Sequence, residues 1–473
     1  MAYTNELVAR KRIAFNGAVT SLLLLCLLLV SIFFYLVAKD YNPAQKYQVL
    51  LYTKIAIVFI ILISPTFKYG GLLAPVKVFA VLYLFVYGFG GWIWVDRGLD
   101  LSEKTVFYST LAIISFAFGF VTTRPFYSPE HNPSVIYAKP YFRKSLIFFI
   151  IVPLICFLLF LAVAGIPALR PDALTYRFEA RQRISSYVIF TMRSIQLPLY
   201  FAICASLLGL YFTSRKVRIF LVLAIFAVYF INFVPGWRNP LFFITLNLAL
   251  IFGYSTSAKK ATAAALFVFI GALTILTFGF MRLYNLSSVQ EVGAITYFRS
   301  RSSSDIEMFL LWASNALSVY SYGFIQSLYA FPDVLGHLHG RVILITLSTM
   351  LPGQGQLLDQ ILKEALGMDF DGGGLNLSLL GESYADFGMI GVILYPFIYG
   401  GIMGVLMKAV ERNKTPARIV PAAFVMSCII QGTMTGLLSI SIYHILGAFL
   451  VFILYMERKS RGRKGALNAR PTR

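Results

Sequence analysis

Charged residues are scarce in this sequence. They make up 13% of its 473 residues, whereas an ordinary soluble domain contains about 25%. Hydrophobic residues make up 58%, and the mean hydropathy is +0.76. Soluble folds do not hide so many long apolar runs. The composition therefore argues against a soluble protein and predicts an all-α polytopic membrane protein.

Cysteine and the common catalytic motifs are also rare or missing. The four cysteines all lie inside apolar runs, which predicts small core residues rather than a disulfide framework or a metal site. We find no Walker loop, no Gly-x-Ser-x-Gly and no His-Glu-x-x-His. These absences argue against an ATP-driven pump and against an intramembrane metalloprotease.

Acidic residues are outnumbered, with 20 Asp and Glu against 41 Lys and Arg, for a net charge of +21. The basic residues form short clusters between apolar runs. This pattern is typical of the cytoplasmic connectors of membrane proteins rather than of nucleic-acid binding. We therefore expect no nucleic-acid partner.

Apolar runs long enough to cross a bilayer occur about twelve times. The predicted spans are residues 15–38, 49–64, 73–95, 105–122, 145–165, 187–212, 217–234, 240–254, 261–281, 387–407, 418–436 and 440–456. With the N terminus placed in the cytoplasm, about 25 of the 41 Lys and Arg lie on the cytoplasmic side. This arrangement satisfies the positive-inside rule and predicts that both termini are cytoplasmic.

The spans divide the chain into three parts. Residues 1–281 are predicted to form a membrane bundle of about nine spans with a short outer loop at 166–187. Residues 282–386 would form one long extracytoplasmic loop, and residues 387–473 three further spans and a basic cytoplasmic tail. Within the long loop, we expect 306–331 to be a helix on the membrane face or a re-entrant segment, because a span there would move the basic tail outside.

Several arginines lie on the outer side and break the charge rule. Those that we single out are Arg170, Arg177, Arg181, Arg193, Arg238, Arg282 and Arg341. A guanidinium pairs with phosphate through two parallel hydrogen bonds. Arginines that converge from separate connectors therefore predict a phosphorylated, anionic ligand. Contacts to lipid headgroups, or salt bridges to nearby acidic residues, are the alternative.

The long loop is acidic, with ten Asp and Glu against five Lys and Arg between residues 282 and 386. Glu382 and Asp386 stand four positions apart and would share one face of a helix. A carboxylate there suits the activation of a sugar hydroxyl, which we favour for Glu382, and the alternative is interaction with a helix dipole.

Two further groups in the loop carry candidate chemistry. His337, with His339 and Arg341 close by, is a candidate acid, base or phosphate contact, although exposed histidines are common in loops. Asp369 and Asp371 form an Asp-x-Asp pair before three glycines. Such a pair either holds a divalent metal or forms an ordinary turn.

Three stretches resemble one known family. Residues 236–238 read Gly-Trp-Arg before an apolar run, where the family has Gly-(Ser/Thr)-Arg, so the Trp is a departure. Residues 169–177 resemble its Arg- and Tyr-rich outer loop. Residues 378–388 read Ser-Leu-Leu-Gly-Glu-Ser-Tyr-Ala-Asp-Phe-Gly and fit Ser-x-x-Gly-Glu-x-Tyr-x-x-Phe-Gly at each fixed position. The sequence thus resembles the bacterial oligosaccharide repeat-unit polymerases (Wzy type), which make O-antigen and enterobacterial common antigen.

The resemblance implies a GT-C-like membrane glycosyltransferase of polysaccharide biosynthesis. At the outer face of the bacterial plasma (inner) membrane, it would transfer a glycan from undecaprenyl pyrophosphate to a sugar hydroxyl of another lipid-linked repeat unit. No metal cofactor is expected, and a chain-length regulator protein is a candidate partner besides membrane lipid. Glu382, His337 and Arg238 are expected to act in catalysis, while Tyr384, Asp386 and the other arginines singled out above are expected to bind substrate.

Three other functions stay open. An O-antigen ligase would use the same donor and transfer the glycan to lipid A core. A glycosyltransferase with a polyprenyl monophosphate donor would use a metal at Asp369 and Asp371. A lipid-linked oligosaccharide flippase or transporter would have a similar number of spans, but it would not need a loop of about 100 residues with clustered Arg, His and Glu.

Overall fold

A computed structural model of the chain describes residues 2–64, 67, 73–96, 101–123, 143–167, 183–184, 186–208, 215–235, 238–256, 303–350, 358–368, 377–437 and 444–455. Across these ranges the regular secondary structure is helical, and no strand occurs among them. The predicted all-α class is therefore confirmed for the described residues.

The first part of the chain forms ten helices over the described ranges. They are α1 (Ala2–Val37), α2 (Pro43–Ile63), α3 (Pro75–Leu84), α4 (Gly90–Asp96), α5 (Ser102–Thr123), α6 (Arg143–Ala164), α7 (Ser186–Arg193), α8 (Gln196–Leu207), α9 (Arg215–Phe233) and α10 (Arg238–Ser255). A π-helical turn, Phe85–Phe89, joins α3 to α4.

The second part adds six helices over the described ranges. They are α11 (Asp305–Ala330), α12 (Arg341–Met350), α13 (Leu358–Ala365), α14 (Ser378–Arg412), α15 (Pro416–Thr435) and α16 (His444–Tyr455).

Seven helical segments are long and apolar enough to cross a membrane: Val19–Val37, Pro43–Ile63, Pro75–Trp92, Ser102–Thr123, Tyr187–Leu207, Ser378–Arg412 and Pro416–Thr435. Four shorter apolar helices, Ile150–Ala164, Leu221–Phe233, Pro240–Ser255 and His444–Tyr455, coincide with other predicted spans. The predicted span at 261–281 lies outside the described residues. The chain is thus a membrane-embedded helical protein.

Large apolar side chains stay exposed on the outside of several of these helices. Leu22 of α1 is 61% exposed, Phe226 of α9 68% and Ile390 of α14 67%. A water-facing surface would bury such groups, whereas lipid tails accommodate them. The exposure therefore agrees with the membrane assignment.

The contact between α5 and α14 is the most extensive between any two helices described here. It depends on glycines that let the two backbones meet. A Cβ atom at Gly119 would lie 2.0 Å from the carbonyl oxygen of Phe397, and one at Gly400 would lie 2.0 Å from that of Phe116. Small residues permit such close helix packing in membranes, where dispersion contacts replace the hydrophobic effect.

A kink divides α14 into two arms. Phe387 (φ −137°) and Gly388 (φ +59°) leave helical geometry. The short first arm, 378–386, carries the block that resembles the polymerase family, and the long second arm forms the span. A positive φ is strained for residues with a side chain, so Gly388 is the residue type that this kink requires.

The segment predicted at 306–331 is α11, so its helical structure is confirmed. Ser304 caps the helix by accepting a hydrogen bond of 3.2 Å from the Glu307 backbone N–H. The Ser303 hydroxyl and backbone N–H both donate to the Glu307 carboxylate and lower its pKa. The position of α11 relative to a membrane stays a prediction.

Candidate functional site

The loop between α11 and α12 binds the first arm of α14. The Leu338 N–H donates to the Ala385 carbonyl at 2.8 Å, and the His339 N–H donates to the Asp386 carbonyl at 2.9 Å. These are the last carbonyls before the kink, and the kink removes their ordinary partners in the helix. The loop therefore satisfies backbone acceptors that α14 leaves open.

The Asp386 carboxylate completes this attachment. The side chain is fully buried and accepts hydrogen bonds from the Gly340 N–H at 3.1 Å and the Val342 N–H at 3.3 Å. Because Val342 lies in the first turn of α12, Asp386 also supplies a negative charge at that helix N terminus. The Tyr395 hydroxyl donates to its other oxygen at 2.6 Å. Asp386 thus joins the loop, α12 and the second arm of α14.

Glu382 has a different neighbourhood, although it lies on the same arm. Its side chain is 0% exposed, and its carboxylate accepts a hydrogen bond of 2.8 Å from the Leu437 N–H, just beyond the end of α15. The hydroxyls of Tyr83 and Tyr399 lie within electrostatic reach. Glu382 therefore bonds to the end of α15, whereas Asp386 bonds to the loop.

His337 lies against the kink. Its ring centroid is 5.6 Å from that of Tyr384 in an edge arrangement. A Cβ atom at Gly388 would come within 3.1 Å of the imidazole Nε2, so the glycine makes room for the ring. The Nδ1 atom is buried and makes no hydrogen bond within the described part of the chain. A buried nitrogen without a partner is costly, which marks His337 as a candidate binding or proton-accepting group.

The structure brings Arg341 to this site but leaves the other arginines apart or undescribed. Arg341 is exposed and begins α12, next to the loop that binds Asp386. Arg193 ends α7 and is partly buried. Arg238 begins α10, and its side chain lies outside the described residues. Arg170, Arg177, Arg181 and Arg282 also lie outside them, so the convergence of these arginines stays a prediction.

Metal ligands do not cluster in the described ranges. No group of three His, Cys, Asp or Glu side chains there has an arrangement that would hold a metal ion. Asp369 and Asp371 lie outside these ranges.

Sequence reasoning missed the fully buried cation Lys54 of α2. It is 0% exposed; its ammonium group donates to the Ser109 hydroxyl at 2.6 Å and lies 5.9 Å from the centroid of the Tyr87 ring. The sequence does contain a signal for Lys54, because it lies inside the predicted span 49–64. Ionisable residues inside spans cost free energy and are usually functional.

The π-helical turn Phe85–Phe89 positions Tyr87 between Lys54 and the first arm of α14. The Tyr87 hydroxyl donates to the Thr433 carbonyl at 3.0 Å and lies within electrostatic reach of Glu382. Single π turns inside helices are frequent at functional sites. Nothing in the sequence pattern of 75–96 indicates this turn.

Comparisons with known proteins identify no relative: no protein-family model, curated protein or solved structure matches this chain.

Proposed function

We propose that the protein is a Wzy-type polysaccharide polymerase. It transfers a glycan chain from undecaprenyl pyrophosphate to a sugar hydroxyl of another lipid-linked repeat unit. One observation carries the proposal: Asp386 and the backbone bonds beside it hold His337 and the start of α12 against residues 378–388. The block with the family resemblance and the loop with candidate chemistry thus form one site.

The proposal includes a GT-C-like bundle of about twelve spans in the bacterial inner membrane, with both termini in the cytoplasm. The apolar helices that coincide with the predicted spans support it, as do the basic clusters between them. In this topology the kink of α14 and the loop that binds it face the outer side. Lipid-linked repeat units would meet the site there.

The reaction needs a proton acceptor for the attacking hydroxyl. That hydroxyl oxygen forms a bond to the anomeric carbon of the donor glycan, the bond from this carbon to the pyrophosphate oxygen breaks, and the hydroxyl proton leaves. The Glu382 carboxylate already accepts a hydrogen bond from the Leu437 N–H, whereas the His337 Nδ1 atom has no hydrogen-bond partner in the described residues. We therefore assign His337 as the proton acceptor and Glu382 as a positioning residue.

The pyrophosphate leaving group develops negative charge that arginines would stabilise without a metal. Arg170, Arg177 and Arg238 are the principal candidates, followed by Arg181, Arg193, Arg282 and Arg341. Among the members whose side chains the structure describes, Arg341 stands beside the site described above. A chain-length regulator would be a separate protein that acts on the same polysaccharide.

A deletion strain tests the function directly. We expect its surface polysaccharide to shrink from a ladder to single repeats attached to their acceptor. Free polymer with unmodified lipid A core would instead indicate a ligase, and lipid-linked repeats accumulating in the cytoplasm would indicate a flippase. A normal ladder would overturn the proposal.

Substitution of Arg238 tests the pyrophosphate assignment. Arg238→Ala should abolish chain extension while the protein remains in the membrane at its normal level. Arg238→Lys should restore little, because an ammonium group cannot form the paired bonds of a guanidinium. Near-normal polymer from Arg238→Ala would refute this assignment.

A further inference from the structure

Three half-buried side chains, Tyr108, Tyr384 and His337, lie next to the kink of α14, and the first two contact the buried ring of Phe324. The Tyr108 ring centroid lies 6.4 Å from that of Phe324, and the Tyr384 centroid lies 6.3 Å from it. Tyr108 and Tyr384 are 5.9 Å apart, and His337 is 5.6 Å from Tyr384. Phe324 is fully buried, so it forms the floor of this group, which we call the aromatic cluster.

The aromatic cluster contains polar atoms that the fold leaves without partners. The hydroxyls of Tyr108 and Tyr384 make no hydrogen bond to any described residue, and neither does the His337 Nδ1 atom. Two other tyrosines do donate to protein acceptors: Tyr87 to the Thr433 carbonyl and Tyr395 to the Asp386 carboxylate. Half-buried polar groups without partners are typical of a surface that binds a polar ligand.

The chemistry of the aromatic cluster favours a saccharide. A pyranose ring has apolar C–H faces and a rim of hydroxyls. Tyrosine matches both features, since it offers an apolar ring and a polar tip. A lipid tail would leave the two hydroxyls and the imidazole nitrogen unsatisfied, at a cost in free energy.

The local charge argues against a pyrophosphate at the aromatic cluster. The Asp333 carboxylate lies within electrostatic reach of the Tyr384 hydroxyl. A nearby carboxylate repels an anion, but it accepts hydrogen bonds from sugar hydroxyls. The anionic part of a lipid-linked substrate would therefore bind elsewhere.

We propose that Tyr108, Tyr384 and His337 form the subsite that binds the acceptor sugar, in which Tyr108 and Tyr384 hold the ring and His337 faces the reacting hydroxyl. The proposal rests on the polymerase function proposed above and names the acceptor sugar as the occupant of this site. Tyr108 lies on α5, far in sequence from the block at 378–388, and no sequence pattern singles it out. It contributes binding and orientation rather than proton transfer.

Binding to the purified full-length protein in detergent tests this subsite. The probe is the repeat-unit oligosaccharide released by mild acid from the lipid-linked pool of the source strain, and the measurement is its Kd by saturation-transfer NMR. Tyr108→Phe and Tyr384→Phe keep the rings and remove one hydroxyl each. Each should weaken binding about fivefold, the loss expected for one hydrogen bond of about 1 kcal/mol.

Tyr52→Phe is the matched control, because Tyr52 lies on α2, is 67% exposed and takes no part in the ring contacts of the aromatic cluster. It should bind the oligosaccharide as the wild type does. Melting temperatures within about 2 °C of the wild type would show that all three variants are folded. If either cluster variant is unfolded, the other one still tests the subsite, because the two tyrosines lie on different helices.

The subsite and the polymerase function fail in different ways. Wild-type binding by both cluster variants, or no oligosaccharide binding by the wild type, overturns the subsite. A truncated polysaccharide ladder in the deletion strain would then still support the polymerase. A normal ladder in that strain overturns the polymerase function and with it the acceptor role, whatever the oligosaccharide binds.

Discussion

The Tyr395 hydroxyl donates a hydrogen bond of 2.6 Å to the Asp386 carboxylate across the kink of α14. In a straight helix, residues nine positions apart are separated by about 13.5 Å along the axis. The non-helical backbone at Phe387 and Gly388 brings the two side chains together. This bond therefore holds the first arm, which carries Glu382, at a defined angle to the second.

Removal of the Asp386 carboxylate should destabilise the site. Asp386→Ala leaves the N–H groups of Gly340 and Val342 without their acceptor, at about 1–3 kcal/mol for each unsatisfied group. Tyr395→Phe removes a single hydrogen bond and should cost about 1 kcal/mol. We expect the melting temperature in detergent to fall more for Asp386→Ala than for Tyr395→Phe. Equal melting temperatures for both variants and the wild type would contradict this account.

Gly388→Ala should impair the site in two ways, through backbone strain and through a clash with His337. Gly388 combines φ +59° with ψ −140°, a conformation essentially confined to glycine that costs a residue with a side chain about 1–3 kcal/mol, and the new methyl group would also press on the His337 ring, 3.1 Å from Nε2. Gly367→Ala is the control, because Gly367 has a similar φ of +62° with open space around it. Both variants should lose stability from the strain of a side chain at a positive φ. Only Gly388→Ala should also lose polysaccharide extension, and retention of normal extension would refute the proposed role of His337.

The contact between α5 and α14 predicts a sharp intolerance of side chains at Gly119. Gly119→Ala would place a methyl group 2.0 Å from the Phe397 carbonyl oxygen, so the helices would have to separate. We expect a strong loss of folded protein in size-exclusion chromatography. Gly447→Ala is the control, since its Cβ atom would meet only the Phe424 ring, at 4.0 Å. If Gly119→Ala remains monodisperse at the wild-type level, the close packing described here is wrong.

Lys54→Met should separate function from stability. Methionine fills a similar volume and removes the cost of burying a charge, so the melting temperature should stay unchanged or rise. Buried cations in spans are usually functional. Lys54 lies near the Tyr87 ring, and the Tyr87 hydroxyl lies within electrostatic reach of Glu382. We therefore expect Lys54→Met to give shorter polysaccharide chains. A marked fall in melting temperature with normal chains would make Lys54 a structural residue instead.

Much of the helical layout is predictable from the sequence, because each element depends on a local property. Membrane spans are recognisable in a sequence by the length of their apolar runs. The start of α11 is also predictable, because Ser304 and Glu307 match the residue pattern of a helix N-terminal cap. The kink of α14 is harder to predict from the sequence. Phe-Gly at 387–388 is compatible with a kink, but nothing local shows that residues 331–342 pack there and satisfy the freed carbonyls.

The candidate site is likewise predictable in part from the sequence. Glu382, Tyr384 and Asp386 stand out in the sequence as polar or acidic residues just before the predicted span 387–407, and His337 stands out as a histidine of the predicted long loop. The sequence does not show that Glu382 and Asp386 have different surroundings, because the hydrogen-bond partners of the two carboxylates come from residues 340–342, 395 and 437. Hydrogen bonds between distant segments have no periodicity that a single sequence reveals.

Composition and hydropathy alone establish a helical membrane protein, and the block at 378–388 marks where its chemistry is to be sought. The enclosure of Glu382, the attachment of the loop by Asp386 and the approach of Tyr108 to Tyr384 depend on the packed fold. Apolar length and charge are properties of neighbouring residues, so they can be read along the chain. Burial and partnership arise only when segments far apart in sequence come within a few ångströms of each other.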